Sequence, residues 1–233
     1  MARLIAALIR HGDYQQQPDT PSAQQPYPLN SEGKVQALEA ARGLRDLIRR
    51  NDWRLVAPID SSRMLRAWQT AEIFAATLND MIPSGLDIES FDDLAERGVG
   101  CAANLTTAQI ESVLQRDPRF STPPVNWKAD SHYRLPLQGA ESLLEAGERV
   151  AGHLLQTMAA LPVDDNDRIK LFVGHGAAFR HAACHLGVLA CDQLSQLSMH
   201  HCQPIMIEYV SGDHWRHVEG EWKVRPGDDE FTD

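Results

Sequence analysis

Apolar residues fall into two kinds of pattern along this chain. Short unbroken runs occur at Leu4 to Ile9 and at Ile169 to Val173, as in strands buried on both faces. Other stretches carry apolar residues at helical spacing. These are Leu38, Ala41, Leu44, Leu47 and Ile48, then Leu65, Ile73, Phe74 and Leu78, and then Leu143, Ala146, Val150, Leu154 and Met158. Two more helices are predicted over Leu105 to Leu114 and Gly176 to Leu186. Val56 to Ile59 and Leu86 to Ile88 are weaker strand signals, the first interrupted by Pro58. Ile205 to Val210 and Trp215 to Val218 flank Ser211-Gly212-Asp213, which predicts an antiparallel pair at a sheet edge. Strands alternating with helices predict an α/β domain around a mostly parallel sheet.

Both strong strands end abruptly in polar residues. The first stops at Arg10-His11-Gly12 and the second at Gly174-His175-Gly176. Ligands of open α/β sheets bind just beyond the carboxyl ends of strands, so the two histidines are predicted to share one pocket. Gly12 to Leu29 is a long loop rich in Gln and Pro, placed to form the pocket rim. Asn30 or Ser31 caps the helix that follows, and Gly33 near its start suits a close backbone approach. Ser61 or Ser62 reads as the cap of the next helix, which puts Arg63 in a first turn. A cation is unfavourable at that end of the helix dipole, and such a local inconsistency suggests a functional arginine at the mouth of the crevice. The irregular stretch from Asp117 to Pro136 reads as part of a cap inserted at about 97–138. A single domain is expected over 1–225, with a loose acidic tail at 226–233.

Composition narrows the partners. The net charge of -10 over 233 residues argues against nucleic acid, which is held by clustered Lys and Arg. It leaves room for a phosphorylated ligand gripped by a few focused arginines. Cys101, Cys184, Cys191 and Cys202 show no Cys-x-x-Cys spacing and read as reduced thiols, hence a cytoplasmic location. No apolar window is long enough for a membrane span, and no signal peptide is expected. Apolar edge strands leave homo-oligomer formation open.

Several chemistries suit paired histidines. Each imidazole alone could be a satisfied polar group at a sheet edge. Zinc lacks further ligands at close spacing, and a serine triad lacks a Gly-x-Ser-x-Gly elbow. Neither a metal nor a cofactor is expected. A histidine that attacks phosphorus remains, with arginines holding the phosphoryl oxygens and a carboxylic acid protonating the leaving group.

At this point the chain resembles the histidine phosphatase, or phosphoglycerate mutase-like, superfamily. The resemblance rests on Leu8-Ile9-Arg10-His11-Gly12, on Leu29 to Ala37, on Ser62-Arg63-Met64-Leu65-Arg66-Ala67-Trp68-Gln69-Thr70-Ala71, on Gly139-Ala140-Glu141-Ser142 and on Gly174-His175-Gly176. It implies a three-layer α/β/α sandwich. It implies His11 as nucleophile, Glu96 as proton donor, and Arg10, Arg63 and His175 as phosphoryl-binding groups, His175 also acting in catalysis. Asp13, Ser31 and Arg97 are candidate substrate contacts. The residues after His11 and after Glu96 lack the mutase pattern. Asp13-Tyr14 and Pro123-Pro124-Val125-Asn126-Trp127 are loosely similar to a mitochondrial branch acting on protein phosphoserine and phosphothreonine. The implied function is metal-independent phosphomonoester hydrolysis through phosphohistidine, on a phosphoprotein or a small phosphometabolite. A phosphoglycerate mutase and a non-catalytic phospho-ligand binder on the same scaffold are the alternatives.

Overall fold

The computed structural model describes residues 2–21, 24–162, 164–212 and 214–225. The acidic tail at 226–233 and Asp213 of the expected turn lie outside them. In chain order the elements are β1 (Leu4–Arg10), α1 (Ser31–Arg50), β2 (Arg54–Ser62), α2 (Leu65–Leu78), β3 (Ile88–Phe91), α3 (Thr107–Arg116), α4 (Leu143–Ala159), β4 (Arg168–Gly174), α5 (Gly176–His185), β5 (Leu197–Ser198), β6 (Ile205–Ser211), β7 (His214–Glu219) and β8 (Lys223–Val224).

The two apolar runs are the central parallel strands. β1 lies between β4 and β6 in a six-stranded sheet of order β3-β2-β4-β1-β6-β7. β1, β2, β3 and β4 are mutually parallel, and β6 and β7 are antiparallel additions at one edge. Side chains alternate across the sheet with period two. Ile5, Ala7 and Ile9 pack with α1 and α2, while Leu4, Ala6 and Leu8 pack with α4 and α5. Both faces are therefore covered, which explains the unbroken apolar runs and makes the molecule an α/β/α sandwich. No described helix is long and apolar enough to cross a membrane.

Two expectations need correction. β2 does not end near Ile59 but continues through Asp60, Ser61 and Ser62, all buried. Strand pairing shifts register between Val56 and Asp60, around Pro58. Asp60 is tolerated inside because Lys170 of β4 and His153 of α4 both reach its carboxylate, the latter at 2.8 Å; buried charges persist when paired in this way. The following helix starts only at Leu65, after a Met64 cap with no side-chain bond, so Arg63 lies outside it. The four thiols are not all free either. Cys184 and Cys191 form a disulfide across the turn after α5, with Cα atoms 5.4 Å apart, while Cys101 and Cys202 are unpaired. The reduced-thiol ground for a cytoplasmic location goes with that pairing.

The two irregular segments have narrow bases. Tyr14 and Leu29 form an antiparallel bridge at the foot of the Gln/Pro loop. There Gly33 touches the chain so closely that a Cβ on it would fall 1.9 Å from the Asp13 carbonyl oxygen. The segment between β3 and α4 is closed by a second bridge, Val99 to Ala140. It has its own apolar cluster of Val99, Ala102, Ile110, Leu114, Trp127, Leu135 and Ala140. Thr106 and Gln109 form a capping box at the start of α3. The two segments touch where the Thr107 amide donates to the Asp19 carbonyl at 2.8 Å.

Candidate active site

β1 and β4 end level, with Arg10 opposite Gly174. The His11 amide donates to the Gly174 carbonyl at 2.9 Å, so the residues that follow emerge side by side. The His11 and His175 rings are 5.1 Å apart between centroids. Both are buried, His175 completely. His175 is the N-cap residue of α5, where its imidazole stands at the positive end of a helix dipole.

Arg66 joins them. It lies in the first turn of α2 with no exposed surface. Its Nε donates to His11 Nε2 at 3.1 Å, and its Nη2 lies 3.3 Å from His175 Nδ1. Its Nη1 donates to the Gln25 carbonyl at 2.9 Å, and its Cζ stands 4.5 Å over the Tyr14 ring. A guanidinium only donates, which fixes both tautomers. His11 accepts at Nε2, so its proton sits on Nδ1 and is donated to the Gly12 carbonyl at 2.8 Å. His175 accepts at Nδ1 and donates from Nε2 to Ser62 Oγ at 2.9 Å. Burial first, then the Arg66, His175 and Arg10 charges, hold His11 well below its usual range. Burial first, then Arg66, Arg10 and Arg149, do the same to His175. Both imidazoles are neutral, and His11 keeps a lone pair on Nε2.

The other groups are held by short, local contacts. Arg10 donates to the Met199 carbonyl at 2.9 Å and runs against Gly176, where a Cβ would come within 3.0 Å of its Cδ. Thr70 accepts from the Gly12 amide at 3.1 Å, and Gln69 accepts from the Leu29 amide at 2.8 Å. Within the Arg-Ala-x-Gln-Thr-Ala segment, Thr70 thus pins the turn carrying His11 to α2, and Gln69 pins the far foot of the Gln/Pro loop. Glu96 is buried, and its Oε1 accepts from the Arg97 amide at 2.9 Å. Its charge raises the affinity of Arg66 and Arg97 for their protons, against a larger desolvation in the opposite direction. Arg97 is buried with its Cζ 5.7 Å from the Trp127 ring centre.

The structure therefore brings together His11, His175 and Arg10, with the Glu96 charge felt at Arg66 beside them. It does not bring Arg63 to them. The Arg63 side chain is 65% exposed and faces Asp92 at 3.5 Å. The late start of α2 is the reason. Arg63 and Arg66 lie seven and four residues before Thr70, both helical spacings, but only Arg66 is inside the helix. Counting back from Phe74 through Thr70 in steps of four would have found it. Ser31 is exposed, and Asn30 is the cap of α1, accepting from the Gly33 amide at 2.8 Å. Asp13 is turned toward α1, with its carboxylate accepting from Asn30 Nδ2 at 2.6 Å. His201 was not anticipated. Its ring centroid is 5.8 Å from that of His11, and it arrives from a segment 190 residues downstream that no local pattern marked.

Comparison with known proteins gives the family and the fold. The family description "Histidine phosphatase superfamily (branch 1)" matches residues 6–222. No curated protein matches the chain. Among solved structures, one titled mycobacterial hydrolase 2 is 21% identical, with 97% of this chain and 93% of that chain covered at a TM-score of 0.69. A mycobacterial glucosyl-3-phosphoglycerate phosphatase is 22% identical, with 93% and 96% covered at a TM-score of 0.68. A phosphoglycerate mutase from Bacillus anthracis is 18% identical, with 96% and 92% covered at a TM-score of 0.66. At these identities the likeness concerns the fold.

Proposed function

We infer that this chain, which belongs to the histidine phosphatase superfamily (branch 1) and is a phosphatase enzyme, hydrolyses phosphomonoesters through a phosphohistidine on His11. The observation that carries the reading is the neutral His11, fixed through Nδ1 and presenting Nε2 to a buried guanidinium. A neutral imidazole nitrogen is a nucleophile, and a permanently charged planar donor is what a phosphoryl group needs beside it.

In the first step the His11 Nε2 lone pair forms a bond to phosphorus while the bond to the ester oxygen breaks. Arg66 turns its N–H groups from the imidazoles to the phosphoryl oxygens, with Arg10 and His175 as further donors. Preorganised charges of this kind stabilise the transition state without reorganising solvent. Glu96, as the carboxylic acid, gives its proton to the leaving oxygen. In the second step the Glu96 carboxylate takes a proton from water, the water oxygen bonds to phosphorus, and the N–P bond breaks. Inorganic phosphate leaves, and His11 is neutral again. No step calls for a metal ion.

The alcohol portion of the substrate belongs on the Glu96 side, where Arg97 and Trp127 of the inserted segment begin. That segment and the Gln/Pro loop are the parts that distinguish a phosphoprotein from a small phosphometabolite. The direct test is phosphate release from p-nitrophenyl phosphate in EDTA, by wild type and His11→Ala side by side. Release by wild type alone, with an acid-labile phosphoenzyme missing from the variant, supports the reading. Equal release by both proteins sinks the nucleophile. Release by neither favours a strict mutase or a phospho-ligand binder on this scaffold.

A further inference from the structure

Glu96 does the work of the acid in that mechanism, yet it sits on irregular chain. No helix or strand carries it: the nearest elements are a single turn at Asp92–Leu94 and another at Gly100–Ala102. A proton donor must stay within hydrogen-bond reach of its target, and an error of about 1 Å is costly in rate. Something has to hold this stretch still.

The structure shows what does. Arg149, on the second turn of α4, directs one guanidinium nitrogen into the turn before Glu96. Its Nη1 donates to the carbonyls of Asp93 at 2.8 Å, Ala95 at 3.2 Å and Asp92 at 3.3 Å. Its Nη2 and Nε donate to Glu141 at 2.6 and 3.4 Å. Glu141 takes the other side of Glu96. Its Oε1 accepts from the Gly98 amide at 2.9 Å, and its own amide donates to the Gly98 carbonyl at 2.9 Å. Cys101 donates to Gln138 at 3.0 Å one step further along. Asp92, Asp93, Ala95 and Gly98 are thus bonded to one ion pair, with Glu96 and Arg97 between the last two. Both side chains of the pair are about a quarter exposed, 24% and 23%. A solvated pair this close to the surface adds little stability by itself, whereas the five hydrogen bonds that it makes to the chain on either side all converge on the stretch around Glu96.

We propose that Arg149 and Glu141 are positioning residues for Glu96, an ion-pair bracket that holds the acid over the leaving oxygen. This deepens the mechanism above and rests on Glu96 being the general acid. It assigns a task to the Glu141 of the Gly139-Ala140-Glu141-Ser142 segment. Ser142 has a separate one, capping α4 in a box with Glu145. Neither Arg149 nor Glu141 touches the reacting atoms, so the effect is selective. The nucleophile, Arg10 and Arg66 stay in place and proton delivery suffers most, while the Arg149 charge that also acts on His175 is kept in Arg149→Lys.

Leaving-group dependence reads that selectively. Values of kcat/KM would be measured for p-nitrophenyl phosphate, whose leaving group needs little protonation, and phenyl phosphate, whose leaving group needs more. The proteins are wild type, Glu96→Gln, Arg149→Met, Arg149→Lys, Glu141→Gln and the double variant Glu96→Gln/Arg149→Met. General acids contribute about a hundredfold or more. Arg149→Met is therefore expected to lower phenyl phosphate turnover roughly tenfold or more, with p-nitrophenyl phosphate changed less than about threefold. Arg149→Lys and Glu141→Gln, which keep part of the bonding, fall between. On the Glu96→Gln background, Arg149→Met adds no further selectivity. Equal losses on both substrates in all three bracket variants, or additive losses in the double variant, overturn the proposal while leaving the acid assignment standing. If Glu96→Gln itself shows no leaving-group selectivity, or wild type hydrolyses neither ester, the acid reading fails and the bracket with it.

Discussion

Substituting Arg66 and Arg63 separately distinguishes two arginines that are three residues apart. Arg66 donates to His11 and to the Gln25 carbonyl at 3.1 and 2.9 Å and lies 3.3 Å from His175. In the proposed mechanism the N–H groups that face the two imidazoles turn to phosphoryl oxygens once substrate occupies the pocket. Charged hydrogen bonds contribute about 1.5–3 kcal/mol each, so losing two should remove roughly 3–6 kcal/mol of transition-state stabilisation. That corresponds to about a 10²–10⁴-fold fall in kcat/KM for Arg66→Ala. Arg66→Lys should recover little, because an ammonium cannot reach both imidazoles and the carbonyl in fixed directions. Arg63→Ala should stay within about twofold of wild type, since an exposed arginine facing an exposed Asp92 has a weak, screened interaction. The assay is p-nitrophenyl phosphate turnover, with thermal unfolding to verify that each variant is folded. An Arg63→Ala protein as impaired as Arg66→Ala would refute the reasoning, as would an Arg66→Lys protein within about threefold of wild type.

Two further outcomes are expected. The first concerns pH. His11 and His175 are held well below their ordinary 6.5 by burial and by arginine charge, and burial lowers His181 to about 4. Below pH 6.5 the unfolded chain takes up protons that the folded chain refuses. Stability is therefore full above that pH and falls as pH drops below it. The slope is roughly 1.4 kcal/mol per pH unit for each such imidazole. Denaturant titrations from pH 7.5 to 5 would reveal it, and a protein more stable at pH 5 than at 7 would contradict it. The second concerns the Cys184–Cys191 bridge. It closes a loop of seven-residue separation, so Cys191→Ser should cost about 2–2.5 kcal/mol on the chain-entropy account. The cost should disappear when both proteins are compared under reducing conditions.

How much of this was legible beforehand depended on whether a residue's role was local. Leu4–Ile9 and Ile169–Val173 announced themselves because burial on both faces leaves no room for polar residues. Once these runs are neighbouring strands, His11 and His175 must meet. Gly33 was legible for the same kind of reason, a backbone contact that only a missing side chain allows. The start of α2 was not. Asp60-Ser61-Ser62 looks like a helix entrance, and its buried carboxylate is tolerated in a strand because Lys170 and His153 reach it from 110 and 93 residues further on. That error put Arg63 where the structure has Arg66, beside the two histidines. Glu96 came from the family resemblance, because nothing in its neighbours distinguishes it from a surface carboxylate. Its supports, Arg149 and Glu141, come from a different helix and its approach. The cysteine pairing was equally hidden, since it depends on how the turn through Gly187, at φ +69°, folds the chain back.

The bridge between Val99 and Ala140 brings the two ends of a forty-residue excursion to within one strand spacing. An insertion whose ends already touch is a cassette: its contents can be lengthened, trimmed or exchanged while the sheet beneath never registers the change. The loop-closure cost of such edits grows only slowly with length. The tie from Thr107 to Asp19 sets one condition, that the Gln/Pro loop be edited in step, and the bond from Ser131 to His181 of α5 sets another. A lineage retaining this sheet and its two histidines could thus acquire new alcohols to release by rewriting two stretches of chain together, with the phosphorus chemistry inherited intact.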